Sequence, residues 1–300
     1  MNKQSWIDTD TFHKDVQYIE SLWQRTPIGT VQTSLIDIGQ GEPLVFIPIL
    51  EHLEFVYARQ LRALSQQRRV ILYRRQESRR AAISRAERAE ELRVILDYLE
   101  LSQVDLVGHG DAAMVLFEFA LRYPYRCRSL TIIAQGPDYR IAPHPFIWLL
   151  HELYLRLPIE HMLSAPFLRN MVIRYIVAHA AENQVTPALP PALIEEQFRK
   201  IQQWPLVYKF SVLPTIHSFD IRKNLHTLTM PILLINRWDD KLSPKAKTDW
   251  LAQHLPYCAD YHVVDGAERF FMYSQHQHVT PLIASFLATY DTQHRSSIRS

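Results

Sequence analysis

The chain has 300 residues, 47% hydrophobic and 21% charged, with 33 Lys and Arg against 31 Asp and Glu for a net charge of +2. That length can bury a large core, as one big α/β domain with an insertion or as two average domains, and the composition argues against disorder beyond the ends. The balanced charge argues against a dedicated nucleic-acid binder, which would gather a strong basic excess on one face.

The opening residues, MNKQSWIDTDTFHKDV, hold no apolar h-region, and no window reaches the roughly 18 unbroken apolar residues of a membrane span. Cys127 and Cys258 lie far apart in no metal or redox spacing, so two buried, unpaired thiols and a reducing, cytoplasmic setting are expected. TVQTSLIDIGQGEPLVFIPIL reads as two strands joined by a Gly39/Gly41 turn, and RRVILYRR as another buried strand. Leu92, Ile95, Leu96 and Leu99 fall at the spacing of an amphipathic helix. QVDLVGHG is then a strand, AAMVLFEFALRYP a helix ending before Pro124, and SLTIIAQG a further strand. Strands alternating with helices over short connections predict a parallel sheet with helices on both faces.

From Pro137 to about His226 the pattern is helical, broken by prolines, with no strand. Strand character returns at MPILLINRW and ADYHVVDG, and HVTPLIASFLATY closes the chain as a helix before a polar tail, DTQHRSSIRS, expected to be mobile. The expected division is a core of residues 1–136 and 227–300 with a helical cap over 137–226.

This order of elements resembles the α/β-hydrolase superfamily, in the subgroup with a helical lid, over nearly the whole chain. The segments LVGHG, EFALRYPYRCRSLTII, LHTLTMPILLINRWDDKLSP and VVDGAERFFMYSQHQHV carry the resemblance. It implies a strand-turn-helix elbow presenting a nucleophile, a histidine base, an orienting carboxylate and two backbone N–H groups for an oxyanion. Matching those motifs places Gly110 at the nucleophile position, Arg269 (in Gly266-Ala267-Glu268-Arg269-Phe270) at the base, and Asp240, with Asp239 a neighbouring candidate, at the acid.

Glycine has no side chain to attack a carbonyl, and arginine, with a pKa above about 12, takes no proton at neutral pH. The oxyanion loop reads Pro48-Ile49, where proline supplies no N–H. The next signature reads YRRQESRR, keeping Arg75 but holding Gln76 and Ser78 where glycines are usual. Only seven glycines occur in the whole chain. An Asp240–Arg269 ion pair is expected in place of Asp–His.

Other candidates carry two readings each. His109 is a packing residue or a repurposed base; Asp111 caps the following helix or serves as a new acid. Glu51 and Glu54 are solvated loop charges or line the pocket mouth. Arg74, Arg75, Arg79 and Arg80 border the site and, with Arg269, could clamp a carboxylate or phosphate. The arginines of the following helix alternate with Glu on a solvated face. His151, His161, His276 and His278 match no zinc spacing, so no metal and no cofactor is expected. Phe146, Trp148, Tyr154, Phe167, Trp204 and Tyr208 are expected to fill the cap's own core.

The leading expectation is a non-hydrolytic member of the superfamily that binds a small ligand or a protein partner. The alternatives are a lyase, isomerase or cyclase using Asp111, Asp240, His109 or Glu51, or residual hydrolysis by carboxylate-activated water.

Overall fold

The structure, a computed structural model, describes residues 7–28, 31–139, 145–182, 188–265 and 268–298. In chain order come helix α1 (Thr9–Leu22), strands β1 (Gln24–Ile28), β2 (Val31–Ile38) and β3 (Pro43–Phe46), and helix α2 (Ala58–Leu64). Strand β4 (Arg69–Tyr73), helix α3 (Arg85–Tyr98), strand β5 (Val104–His109), helix α4 (Asp111–Arg122) and strand β6 (Cys127–Ile133) follow. Between β6 and the next strand lie helices α5 (Pro145–Arg156), α6 (Glu160–Leu163), α7 (Pro166–Glu182), α8 (Pro191–Lys200), α9 (Trp204–Val207) and α10 (Leu213–Ile216). Strand β7 (Ile232–Arg237), helix α11 (Lys245–His254), strand β8 (Cys258–Val264) and helices α12 (Phe271–Ser274) and α13 (His276–Ile298) complete the chain.

The eight strands form one sheet in the order β1-β2-β4-β3-β5-β6-β7-β8, antiparallel at β1–β2 and β2–β4 and parallel from β4 to β8. The Gly39/Gly41 turn therefore joins β2 to β3 without pairing them, because β4 lies between. Gly39 is required there: at φ +80 its would-be Cβ meets the Arg68 carbonyl oxygen at 2.1 Å. The chain moves from β3 to β4 on one side, then crosses to β5 on the other. That reversal makes the carboxyl ends of β3 and β5 the switch point of the sheet, where open α/β sheets place their sites.

The central strands read as largely apolar runs because helices cover both faces. All six residues of β5 and all six of β7 are buried. Helix α4 sits tightly on β5, since a Cβ on Gly108 would lie 2.8 Å from the Ala113 Cα. Helix α3 starts at a capping box in which Ser84 and Glu87 satisfy each other's backbone N–H groups.

Several elements depart from the sequence expectation. Helix α1 and strand β1 are not among the expected elements, although α1 spaces Phe12, Val16 and Ile19 along one face. A buried carboxylate holds α1 in place: Asp15 accepts from Arg59 Nε at 2.9 Å and from the Tyr273 hydroxyl at 2.9 Å, tying it to α2 and α12. The polar tail is not a loose end, for α13 runs on through Ile298. On α3, Arg93 does pair along the helix with Glu90 and Asp97. Arg88, by contrast, is buried beneath Glu77 and Glu91 rather than solvated. Cys127 and Cys258 are both free, but Cys258 is only half-buried. No helix of the described residues is long and apolar enough to cross a membrane.

The segment between β6 and β7 touches the sheet domain through specific bonds. Ile83 N donates to the Phe210 carbonyl at 2.8 Å, Ser78 N to Ser211 Oγ at 2.6 Å, and Arg85 Nη1 to the carbonyls of Thr215 and His217. Its aromatic centre is Tyr154, Trp204 and Tyr208, with the Tyr154 hydroxyl donating to the Pro205 carbonyl at 2.6 Å. Phe167, expected in that centre, is instead 77% exposed. The side chains of Phe146, Trp148 and His151 lie outside the described residues.

Candidate functional site

The carboxyl ends of β5, β7 and β8 converge on one buried corner. After β5 the chain turns at Gly110, with φ 58 and ψ −120, and enters α4 at Asp111. That conformation strains any residue with a Cβ, so the glycine relieves the turn. The turn is fixed by Gly110 N donating to the Ile133 carbonyl at 2.9 Å and Ala113 N to the Gly110 carbonyl at 3.1 Å.

Directly over this turn lies Arg269. A Cβ built on Gly110 would stand 3.3 Å from its Nη2 and 3.7 Å from its Nε. The guanidinium is held by Asp240, with Nη1 2.8 Å from Oδ1 and 2.9 Å from Oδ2. Both residues are buried, at 6% and 3% exposure. Asp240 Oδ1 also accepts the backbone N–H of Leu242 at 2.8 Å and of Ser243 at 2.7 Å. Four contacts on one carboxylate, two of them from backbone, compensate a charge that would otherwise be costly to bury. Asp239 faces away, largely exposed, beside Arg237, so Asp240 alone of the two candidate acids meets Arg269.

His109 completes the brace. Its Nε2–H donates to the Arg269 carbonyl at 2.9 Å, and its ring packs on Phe270 with centroids 4.6 Å apart. Burial, reinforced by the Arg269 charge, pushes its pKa down to about 4, so the imidazole is neutral at ordinary pH. A neutral ring whose N–H is spent on a carbonyl behaves as a packing element here. Gly266 and Ala267, two residues of the matched motif, lie outside the described residues.

On the β3–β4 side, Asp111 stands at the first position of α4, not at its cap, which is Gly110. Its carboxylate accepts from Arg75 Nη1 at 3.3 Å, while Arg75 Nε donates to Glu77 at 2.6 Å. The arginines do not converge into a clamp. Arg79 meets Glu51 at 3.3 Å, Arg74 lies 3.4 Å from Glu54 and stacks on Trp23, and Arg80 is exposed. Each internal cation has a local acid.

Glu51 is half-buried, and burial, ahead of the Glu77 charge, raises its carboxyl. Glu54 is not a solvated loop charge: at 1% exposure, burial pushes its pKa up to about 7. Pro48 and Ile49 are both buried. His161 and His278 are exposed and His276 half-buried, and no His/Cys/Asp/Glu group among the described residues could hold a metal ion.

Two residues of this corner carry no motif signal. Tyr57, fully buried, donates its hydroxyl to the Ile47 carbonyl at 3.0 Å, locking the loop after β3. Burial raises the Tyr139 phenol, which feels the charges of Arg269, Asp111 and Asp240 and so sits at the same corner. Both lie far in sequence from the elbow, and only the strand order brings them to it.

No protein-family model matches this chain. It is 25% identical over 164 residues to the pimeloyl-[acyl-carrier protein] methyl ester esterase of Nitrosomonas europaea, a match covering 54% of this chain. The match spans 63% of the esterase, less than two-thirds of that relative's length. Among solved structures, a thermophilic esterase from Thermogutta terrifontis superposes with a TM-score of 0.68 at 18% identity, covering 89% of this chain and 99% of the esterase. The enol-lactonase of Burkholderia xenovorans LB400 superposes with a TM-score of 0.66 at 15% identity, covering 88% and 100%.

Proposed function

We propose that this chain, whose fold is that of the α/β-hydrolase superfamily, is a non-hydrolytic member that binds a small ligand or a protein partner. One observation carries the reading. The volume in front of Gly110, where a nucleophile's side chain would stand, faces the guanidinium of Arg269, pinned there by Asp240. A triad needs a hydroxyl or thiol and a proton acceptor at these places, and this corner offers a hydrogen atom and a permanent cation. Loss of the nucleophile alone removes about 10⁶-fold of rate in a triad enzyme.

Replaced acid–base chemistry has less support. Asp240 and Asp111 are each engaged by a guanidinium, Glu51 is paired with Arg79, and neutral His109 has committed its N–H. We further assign residues 137–226 as a cap over the carboxyl ends of the strands, leaving 1–136 and 227–300 as the core. The bonds from Ser78, Ile83 and Arg85 into that segment, and Tyr139 at the corner, support the division. Free Cys127 and Cys258 fit a reducing compartment.

The test is covalent capture. The native chain incubated with a fluorophosphonate probe and with short-chain nitrophenyl esters should show neither an adduct by intact mass nor turnover above a heat-denatured control. An adduct mapped to any side chain at the corner of Gly110, Asp240 and Arg269 overturns the proposal.

A further inference from the structure

Soluble proteins bury most of a helix's apolar stripe, and a large exposed apolar patch marks a surface that something covers. Helices α5 to α7 break that rule. Leu149, Leu153 and Leu157 follow one another at four-residue spacing along α5 and its end, and all are exposed. Phe167 and Met171 repeat the spacing on α7 and are 77% and 51% exposed, and Met162 on α6, which lies between α5 and α7 in sequence, is 68% exposed. These helices are not simply inside out. Ile173 and Val177 of α7 are fully buried, so α7 has an inner apolar face and a second apolar face turned outward.

The exposed charges of this stretch have one sign. Between residues 149 and 178 the exposed charged side chains are Arg156, at 79%, and Arg174, at 72%. The acids of the same stretch lie behind them: Glu152 is shared between Arg156 and His217, and Glu160 is buried against Lys209. Arg174 meets Glu195, which also serves Arg199.

We propose that the outer face of α5–α7 docks on an anionic lipid surface. Leucine, methionine and phenylalanine would enter the boundary between headgroups and acyl chains, while Arg156 and Arg174 meet the headgroup phosphates. Charge selects this occupant over a second copy of the chain. A two-fold contact through this face would press together two copies of a surface whose exposed charges, between residues 149 and 178, are both arginine. This inference is independent of the chemistry at Gly110.

The experiment is sedimentation of the full chain with vesicles of phosphatidylcholine alone and of phosphatidylcholine with about a quarter phosphatidylglycerol. The chain is expected to sediment with the anionic vesicles and to be released by high salt. Phe167→Asp combined with Met171→Asp should weaken binding by about tenfold or more. Arg156→Glu with Arg174→Glu should abolish the preference for anionic lipid. All four side chains are more than half exposed, so each variant should melt within about a few degrees of the wild type, the arginine variant losing only surface pairs with Glu152 and Glu195, and this is checked alongside. Failure of the wild type to bind anionic vesicles, binding unchanged in the Phe167/Met171 variant, or a solution dimer dissociated by that variant would each overturn the proposal.

Discussion

Arg269 Nη1 lies 2.8 Å and 2.9 Å from the two carboxylate oxygens of Asp240, and the same guanidinium stands 3.3 Å from the point where Gly110 would carry a Cβ. One side chain thus bridges the loops after β7 and β8 and covers the turn after β5.

Restoring a serine alone should restore nothing. Gly110→Ser places a Cβ at φ 58 and against Arg269, which should cost about 1–3 kcal/mol of stability, read by thermal or urea denaturation. The variant should remain unlabelled by fluorophosphonate because no group at Arg269 accepts the hydroxyl proton. Labelling should require Arg269→His in addition. Efficient labelling of the single variant would show that the cation is not what silences the corner.

The two halves of the ion pair should be unequal in a double-mutant cycle. Asp240→Ala leaves a buried guanidinium with no acceptor and should cost about 3–5 kcal/mol. Arg269→Ala leaves a carboxylate that keeps the N–H groups of Leu242 and Ser243, and should cost about 1–3 kcal/mol. The double variant should be more stable than the sum of the two predicts. Equal single costs that simply add would mean that the pair contributes no coupling.

The contributions of two buried groups to the pH dependence of stability should largely offset each other in the wild type. His109 titrates near 4 in the folded chain against an ordinary 6.5, so its contribution is complete above pH 6.5 and is lost as pH falls toward 4. Glu54 titrates near 7 against an ordinary 4.5, so its contribution is complete below pH 4.5 and is lost as pH rises through 7. Each difference corresponds to roughly 3 kcal/mol. Glu54→Gln should unmask stability rising with pH between about 4 and 6.5, and His109→Phe stability falling between about 4.5 and 7, followed by urea midpoints across pH. Variants with parallel pH profiles would refute the opposition.

What was legible in the sequence was whatever depends on neighbours along the chain. The apolar runs of β3 to β8, the stripe of α3 and the turn between Gly108 and Ala112 declare themselves because burial acts on local periodicity. The motif positions Gly110, Asp240 and Arg269 could be matched for the same reason, each lying at a fixed offset from its own strand. Their complementary charges made the pair an expectation.

Only the tertiary structure decided the rest. It chose Asp240 over Asp239, gave Asp111 to Arg75 rather than to a helix cap, and sank Glu54 and Arg88 into the interior. It also brought Tyr57 and Tyr139 to the corner and turned Phe167 outward. The physical reason is that dispersing arginines among partners, and choosing which charges are desolvated, are settled by strand order and helix docking. The deciding contacts, such as Asp111 with Arg75 and Asp240 with Arg269, join residues that follow different strands, tens of positions apart, and no local pattern encodes them.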